Sequence, residues 1–281
     1  MGEVSNRAPT TLTRAARRAP GDLAASWPSR ALDLLKRVLR TRLAGTGLAV
    51  LALVCLAALA SPLLAPYNPN DQDYLALTQE PSGAHLLGTD DLGRDVLSRL
   101  IYGSRVSLQV GIIAVGIAVS VGVTLGLVAG YAGGFVDTII TRFTDAVQAF
   151  PGLILALAIT AALGPGIGNA MIAIGFVSTP AFARLARGQT LAIREREFVE
   201  AARVLGAPPA AILARHIWPN VTAPIIVQAT LLIASAIVTE ASLSFLGVGV
   251  QPPTASWGAM LRTGSQYLEV APWMAFAAGF A

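Results

Sequence analysis

Residues 146–183 contain no Asp, Glu, Lys or Arg. A helix crossing the roughly 30 Å hydrocarbon core of a bilayer needs about 20 apolar residues at 1.5 Å rise each, so this run is too long for one crossing. Gly164-Pro165-Gly166-Ile167-Gly168-Asn169 interrupts it and predicts two helices. Further runs behave alike: 47–64, 106–136 (apolar as far as 130) and 216–239, the last entered through Pro219 and Asn220. Another begins near Pro272 and has run ten residues at Ala281, so it is expected to be incomplete in this chain. The expectation is an all-α, polytopic helical bundle with six spans, the sixth partial.

Composition narrows the function classes. Charged residues make up 13% of the chain, against about 25% in ordinary soluble domains, which excludes a disordered chain and argues against a soluble enzyme. Cys55 is the single cysteine, so there is no internal disulfide framework and no Cys-rich metal site. His85 and His216 lie far apart, without the spacing of a zinc site or the partners of a Ser/His/Asp triad. No metal ligand set is expected, and no nucleic acid. The first apolar run resembles a signal peptide in its basic flank and in Ala58-Leu59-Ala60, but it is longer than an h-region of about 7–15 residues and reads as a span.

Lys and Arg set the orientation. Sixteen of the twenty fall in the N-terminal segment, at Arg142 in the expected loop after the second span, or in 184–219, and the rest are Arg94, Arg99, Arg105 and Arg262. The larger set belongs in the cytoplasm, which puts the N-terminus and 184–219 inside and 65–105 outside. Residues 1–28 read as a basic cytoplasmic tail. In 29–44, Ala31, Leu32, Leu35, Leu39 and Leu43 share a helical face away from Lys36, Arg37 and Arg40, which suits an interfacial helix. The transmembrane domain is then 45–281. The external segment opens on a turn-rich Pro66-Tyr67-Asn68-Pro69-Asn70, and Thr89 or Asp90 is placed to cap a helix from near Leu92.

Gly88 to Gly93 has the spacing of a phosphate-binding loop, but Arg94 and Asp95 follow where Lys and Ser/Thr are needed, and an aspartate there repels phosphate. No base lies beside a nucleophile and no carboxylate pair is evident, so the chain is not expected to be an enzyme. Energy for active transport must come from a partner or an ion gradient.

The 194–220 stretch, REREFVEAARVLGAPPAAILARHIWPN, is too polar to span and too patterned for a linker. Phe198, Val199, Ala202 and Leu205 give a short helix an apolar face, and Glu195, Glu197 and Glu200 suit its N-terminal dipole. Gly206 is placed to end it, Pro208 or Pro209 to start a second helix, and Pro219 to end that one. On pattern alone this is either a structural hairpin or an element that transmits force to a cytoplasmic partner.

Glu200-Ala201-Ala202, Gly206 and Pro219 resemble the EAA loop of ABC importer permeases, with His216 and Trp218 departing from its common residues. Leu87 to Leu100 (LGTDDLGRDVLSRL) and Glu240 to Gly247 (EASLSFLG), followed by Pro252-Pro253 and Ser256-Trp257-Gly258, are similar to stretches of the C-type permeases of dipeptide, oligopeptide and nickel importers. The resemblance implies a MetI-like transmembrane fold in a bacterial inner membrane. It implies a second homologous permease subunit, two cytoplasmic ATP-binding subunits that hold the ATP and Mg, and an extracytoplasmic substrate-binding protein. It assigns ATPase coupling to Glu200, Ala201, Ala202, Gly206, Pro208 and Pro219, the alanines permitting close packing. Short peptides are the expected substrates, with nickel chelates or glutathione as the alternative. An ion-coupled secondary transporter would need mid-membrane charges or a repeated half, and neither is visible.

Asp90, Arg94, Asp95 and Glu240 are candidates for an outer gate or binding-protein contact. Glu240 lies 20 residues beyond Asn220, about 30 Å along a helix, which places it near the outer mouth. Its plain alternative is pairing with Arg94 or Arg99. Gln109, Gln148, Gln228 and Asn169 either line a route or bond between helices. Asp137 and Asp145 are expected to be solvated, and the glycines 111, 116, 122, 126 and 130 to permit close helix contact.

Overall fold

The computed structural model describes residues 42–281. The expected basic tail and interfacial helix lie outside the described residues, apart from the backbone of 42–44, which belongs to helix α1 (Arg42–Leu59). The chain divides into two units at Leu53. The described part of the first is the start of α1. The second, Val54–Ala281, carries the end of α1 and everything that follows.

Regular structure among the described residues is helical, with one isolated bridge between Thr89 and Asp95. After α2 (Ser61–Leu64) and an irregular segment come α3 (Val96–Ala132), α4 (Gly134–Gln148), α5 (Gly152–Leu163) and α6 (Ile167–Arg194). Then follow α7 (Glu197–Val204), α8 (Pro209–Ile212), a π-turn over Leu213–Ile217, α9 (Trp218–Phe245), α10 (Trp257–Gln266) and α11 (Pro272–Gly279). Among the described residues, three helices are long and apolar enough to cross a membrane: α3, α6 and the continuous run Pro209–Phe245. A fourth crossing is formed if α4 and α5 count together, although they meet at 91°.

The uncharged run 146–183 breaks where its glycines stand, between Leu163 and Ile167, with Gly164 and Gly166 at φ +96 and +148. Its first half departs from expectation. Residues 134–148, read from their charges as a loop, form the amphipathic α4, and α5 supplies only 12 residues after Pro151. Both acids of α4 meet arginines of α6, Asp137 largely covered and Asp145 still half exposed to solvent as expected. Arg187 grips Asp137 through Nε and Nη2 at 2.5 and 2.6 Å, and Arg184 reaches Asp145 at 3.2 Å and the amide oxygen of Gln148. Asn169 donates to the carbonyls of Leu163 and Gly164, closing the C-terminal end of α5.

α3 and α6 make the most extensive helix pair. Gly122, Gly126 and Gly130, one turn apart, lie directly on the α6 backbone between Thr179 and Thr190. The matched ascending numbers make the two helices parallel. Gly111 packs on Ile233 and Ile237, and α9 runs antiparallel to α3. Small residues allow this approach because lipid supplies no hydrophobic drive, so close contact has to supply the attraction. Val110, Ala114, Phe182, Val221 and Ile225 fill the shared core.

Helix α3 begins at Val96, four residues later than expected, capped by Asp95 rather than Thr89 or Asp90. Asp90 instead folds the preceding turn, its Oδ1 accepting from the amides of Leu92 and Arg94 at 2.9 Å each, with Gly93 at φ +72. α10 was not expected. Ser256 caps it, accepting from the Ala259 amide at 3.2 Å, and the Trp257 indole donates to the Leu100 carbonyl of α3 at 3.0 Å. α11 starts at Pro272, as expected.

Candidate functional site

The hairpin after α6 is built by a Schellman turn. Gly206 sits at φ +80, its amide donates to the Arg203 carbonyl, and the Ala207 amide donates to the Ala202 carbonyl, both at 3.0 Å. A Cβ at Gly206 would meet nothing within 4 Å, so glycine is required here by backbone conformation and not by space. Pro208 is the extended cap of α8 and Pro209 occupies its first turn. Glu197 and Glu200 stand in the first turn of α7, on the positive end of its dipole.

Val199 is fully buried, and Ala202 and Ala207 pack on the core, anchoring the hairpin from below. Glu200, Ala201, Gly206 and Pro208 are exposed. Val204 and Leu205 are 82% and 87% exposed, an uncovered apolar tip beside a carboxylate. Two expectations are corrected. Leu205 is not part of the inner apolar face, because the Schellman turn carries it to the outside. The second helix does not stop at Pro219: α8 continues through the π-turn into α9, and Pro219 stands exposed just after that π-turn. The expected roles of the two alanines also divide, since only Ala201 faces outward. Val204 was missed; its place between Arg203 and Leu205 in the sequence gave no sign that it would be uncovered.

The segment 65–95 folds as a cap on the start of α3. Asp90, Arg94, Asp95 and Arg99 are all buried. Asp90 Oδ2 accepts from Arg94 Nε at 2.7 Å and lies 3.5 Å from Arg99 Nε. Arg99 Nη1 also donates to the Pro69 carbonyl at 2.8 Å. Asp95 Oδ2 accepts from the amide and hydroxyl of Ser98 at 2.8 and 2.7 Å, and Oδ1 lies 2.9 Å from His85 Nδ1. Arg94 Nη2 lies 3.5 Å from Asp91 Oδ1, an ion-pair distance without hydrogen-bond geometry. Burial, and then the neighbouring Asp90 charge, push the Asp91 carboxyl above the ordinary carboxylate range.

Glu240 does not pair with Arg94 or Arg99, both of which are taken by Asp90. It is fully buried, because α10 folds back over the end of α9 and seats Gly258 on Ala241. Its Oε1 accepts from Ser244 Oγ at 2.6 Å, and Ser244 Oγ in turn accepts from the Val250 amide at 2.9 Å, while Oε2 has no partner among the described residues. The carboxyl thus fixes the exit of α9. A Glu240→Gln variant keeps the volume and the Oε1 acceptor, and transport assays should show it unchanged. Glu240→Ala removes the acceptor and opens a cavity, and should lower thermal stability by about 2–4 kcal/mol. Loss of transport by the glutamine variant at normal stability would instead assign a role to the charge.

No group of three or more His, Cys, Asp or Glu able to hold a metal occurs among the described residues. His216 lies near Phe198, the rings tilted by 44° with centroids 6.3 Å apart.

The family model described as binding-protein-dependent transport system inner membrane component matches residues 122–281, and that of the N-terminal TM domain of oligopeptide transport permease C matches 29–81. The dipeptide transport system permease protein DppC of Alkalihalophilus pseudofirmus is 44% identical over 88% of this chain and 82% of its own length. The glutathione transport system permease protein GsiD of Shigella flexneri is 45% identical over 86% of this chain and 80% of its own. A chain in the solved inward-facing MetNI methionine ABC transporter shares the fold, with a TM-score of 0.50 at 16% identity, covering 65% of this chain and 92% of that one. With most of its length matched at this level, the chain belongs to the inner-membrane permease components of binding-protein-dependent ABC importers.

Proposed function

We propose that this chain is one of two homologous permease subunits of an importer of short peptides, that it performs no chemistry itself, and that ATP and Mg are held by two cytoplasmic subunits docked on its hairpin and that of its partner. In this reading it crosses a bacterial inner membrane six times with the N-terminus inside. Sixteen of the twenty Lys and Arg residues then fall on the cytoplasmic side. Parallel α3 and α6 with antiparallel α9 fit that alternation. An extracytoplasmic binding protein delivers substrate to the outer mouth, beside the cap that the buried Asp90, Arg94 and Asp95 hold together.

The observation that carries the coupling role is the uncovered tip: Val204 and Leu205 exposed beside Glu200 on a turn locked by Gly206. Exposed apolar residues on a rigid projection suit a groove in another protein, where Glu200 would meet basic groups. The similarity to DppC supports peptides, and the similarity to GsiD supports glutathione, itself a short peptide derivative, as the second reading.

The test is co-purification with the ATP-binding subunits and measurement of ATPase activity stimulated by the loaded binding protein. Leu205→Asp should release the ATP-binding subunits while the permease pair stays intact. Gly206→Val, forced to φ +80, carries about 1–2 kcal/mol of backbone strain and should lose stimulation. Full stimulation in both variants would remove the hairpin from the coupling path. Uptake of radiolabelled dialanine against glutathione separates the two substrate readings.

A further inference from the structure

A cavity of about 850 Å³ opens between the turn at 65–70 and the first turns of α3. Its volume lies within the range of about 300–1,000 Å³ typical of small-molecule sites. Tyr102, Arg105 and Gln109 form one wall. Their spacing of three and four residues puts them on one face of α3. Tyr67, Asn68 and Asn70 form the facing wall.

Arg105 differs from its neighbours in the cap. Arg94 and Arg99 are buried and neutralised by Asp90. Arg105 is exposed to the cavity, its guanidinium 5.9 Å from the ring centre of Tyr102, and among the described residues no carboxylate stands within ion-pair distance of it. An arginine held over an aromatic face presents its fork of N–H groups outward, and a carboxylate is the anion that fits that fork with two parallel bonds. Gln109, one turn further on, offers an amide that both donates and accepts, and Asn70 offers another across the cavity. That is the complement of a peptide bond.

We propose that this cavity is a substrate subsite of the permease, in which Arg105 takes the C-terminal carboxylate of a short peptide and Gln109 and Asn70 bond its backbone. The proposal rests on the peptide reading above and adds where the substrate first meets this chain.

The test uses the assembled importer in phosphatidylcholine nanodiscs, without binding protein, so that neither anionic lipid nor the binding protein's own preference enters. A Cys55→Ala background carries Thr254→Cys as reporter, with Ala65→Cys as a second should the first fail to assemble; both positions line the cavity without a proposed ligand bond. Labelling of this chain by N-ethylmaleimide is followed by mass spectrometry. Dialanine at about four times its dissociation constant should slow labelling about fivefold. Its C-terminal amide at the same concentration should not. Arg105→Lys should retain part of the protection and Arg105→Gln none. Equal protection by the amide, or no protection by dialanine, overturns the subsite. If the wild-type importer accumulates dialanine through its binding protein while the reporters stay unprotected, the subsite falls and the peptide reading stands. Failure to accumulate dialanine overturns both.

Discussion

Replacing Asp90 by alanine is expected to unfold the cap over residues 65–95 and to destabilise the permease by about 3–5 kcal/mol, the cost of leaving a buried charge without its partner. Arg94 and Arg99 are 7% and 5% exposed and share this carboxylate. Neither has another carboxylate that could take over fully: Arg94 reaches Asp91 only at 3.5 Å, and the other contacts of Arg99 are carbonyls. The same aspartate accepts from the amides of Leu92 and Arg94, so alanine also removes the turn that aims α3. Asparagine can keep those two amide bonds through its oxygen and should cost less than alanine. Thermal unfolding of the purified complex, with tryptic cleavage after Arg94 and Arg99 as a local readout, measures both variants. Asp91→Asn is the contrasting case. Its carboxyl sits above the ordinary range, so the folded cap prefers it neutral. The native protein therefore loses stability relative to the asparagine variant as pH rises from the ordinary carboxylate range through the raised value, and the variant should be the more stable at neutral pH. A native unfolding temperature in Asp90→Ala would show that the arginines are solvated after all and that the network contributes little.

The outcome at these two neighbouring aspartates shows where the sequence stops being informative. Uncharged runs located the helices because lipid admits almost no charge, and that constraint is local to each segment. The break at Gly164–Gly166, the turn at Gly206 and the start of α11 at Pro272 were legible for the same reason: each is a backbone requirement written in one or two residues. Charges that find partners far along the chain were not legible. Asp137 and Asp145 looked like loop residues until Arg187 and Arg184 met them from α6, and α4 was missed with them. Counting residues puts Glu240 toward the far end of its helix, where it stands in α9, yet its burial comes from α10 folding back to set Gly258 on Ala241, a contact without a local signal. Within the hairpin, the family motif names residues but not the sides they take: Ala202 packs inward, and Val204 and Leu205, which the motif does not single out, form the exposed tip.

Gly126→Leu tests whether the close packing of α3 on α6 positions the hairpin. A Cβ on Gly126 would fall inside the contact radius of the Ala183 carbonyl oxygen and come within 2.7 Å of the Ala186 Cβ and 2.9 Å of the Arg187 amide. Most of these are backbone atoms, which no side-chain rotation can clear. Overpacking of this kind costs about 1–3 kcal/mol where neighbours can yield, and more where they are main chain. Gly122 and Gly130 meet α6 in the same way one turn to either side, so separating the helices at Gly126 breaks contact at all three. It also draws Arg194, at the end of α6, away from the Gly130 carbonyl of α3, to which its Nη1 donates at 2.7 Å, and α7 follows α6 directly. The hairpin should therefore lose its position, and ATPase stimulation should fall with stability. Gly116→Ala is the control on the same helix: nothing lies within 4 Å of its Cβ, and alanine is the better helix former by about 0.5–1 kcal/mol. That variant should match or exceed the native unfolding temperature. Should Gly126→Leu assemble and couple as well as Gly116→Ala, close α3–α6 contact is not what carries motion between the membrane helices and the hairpin, and the bent pair α4–α5, held to α6 by Asp137 and Arg187, becomes the element to test next.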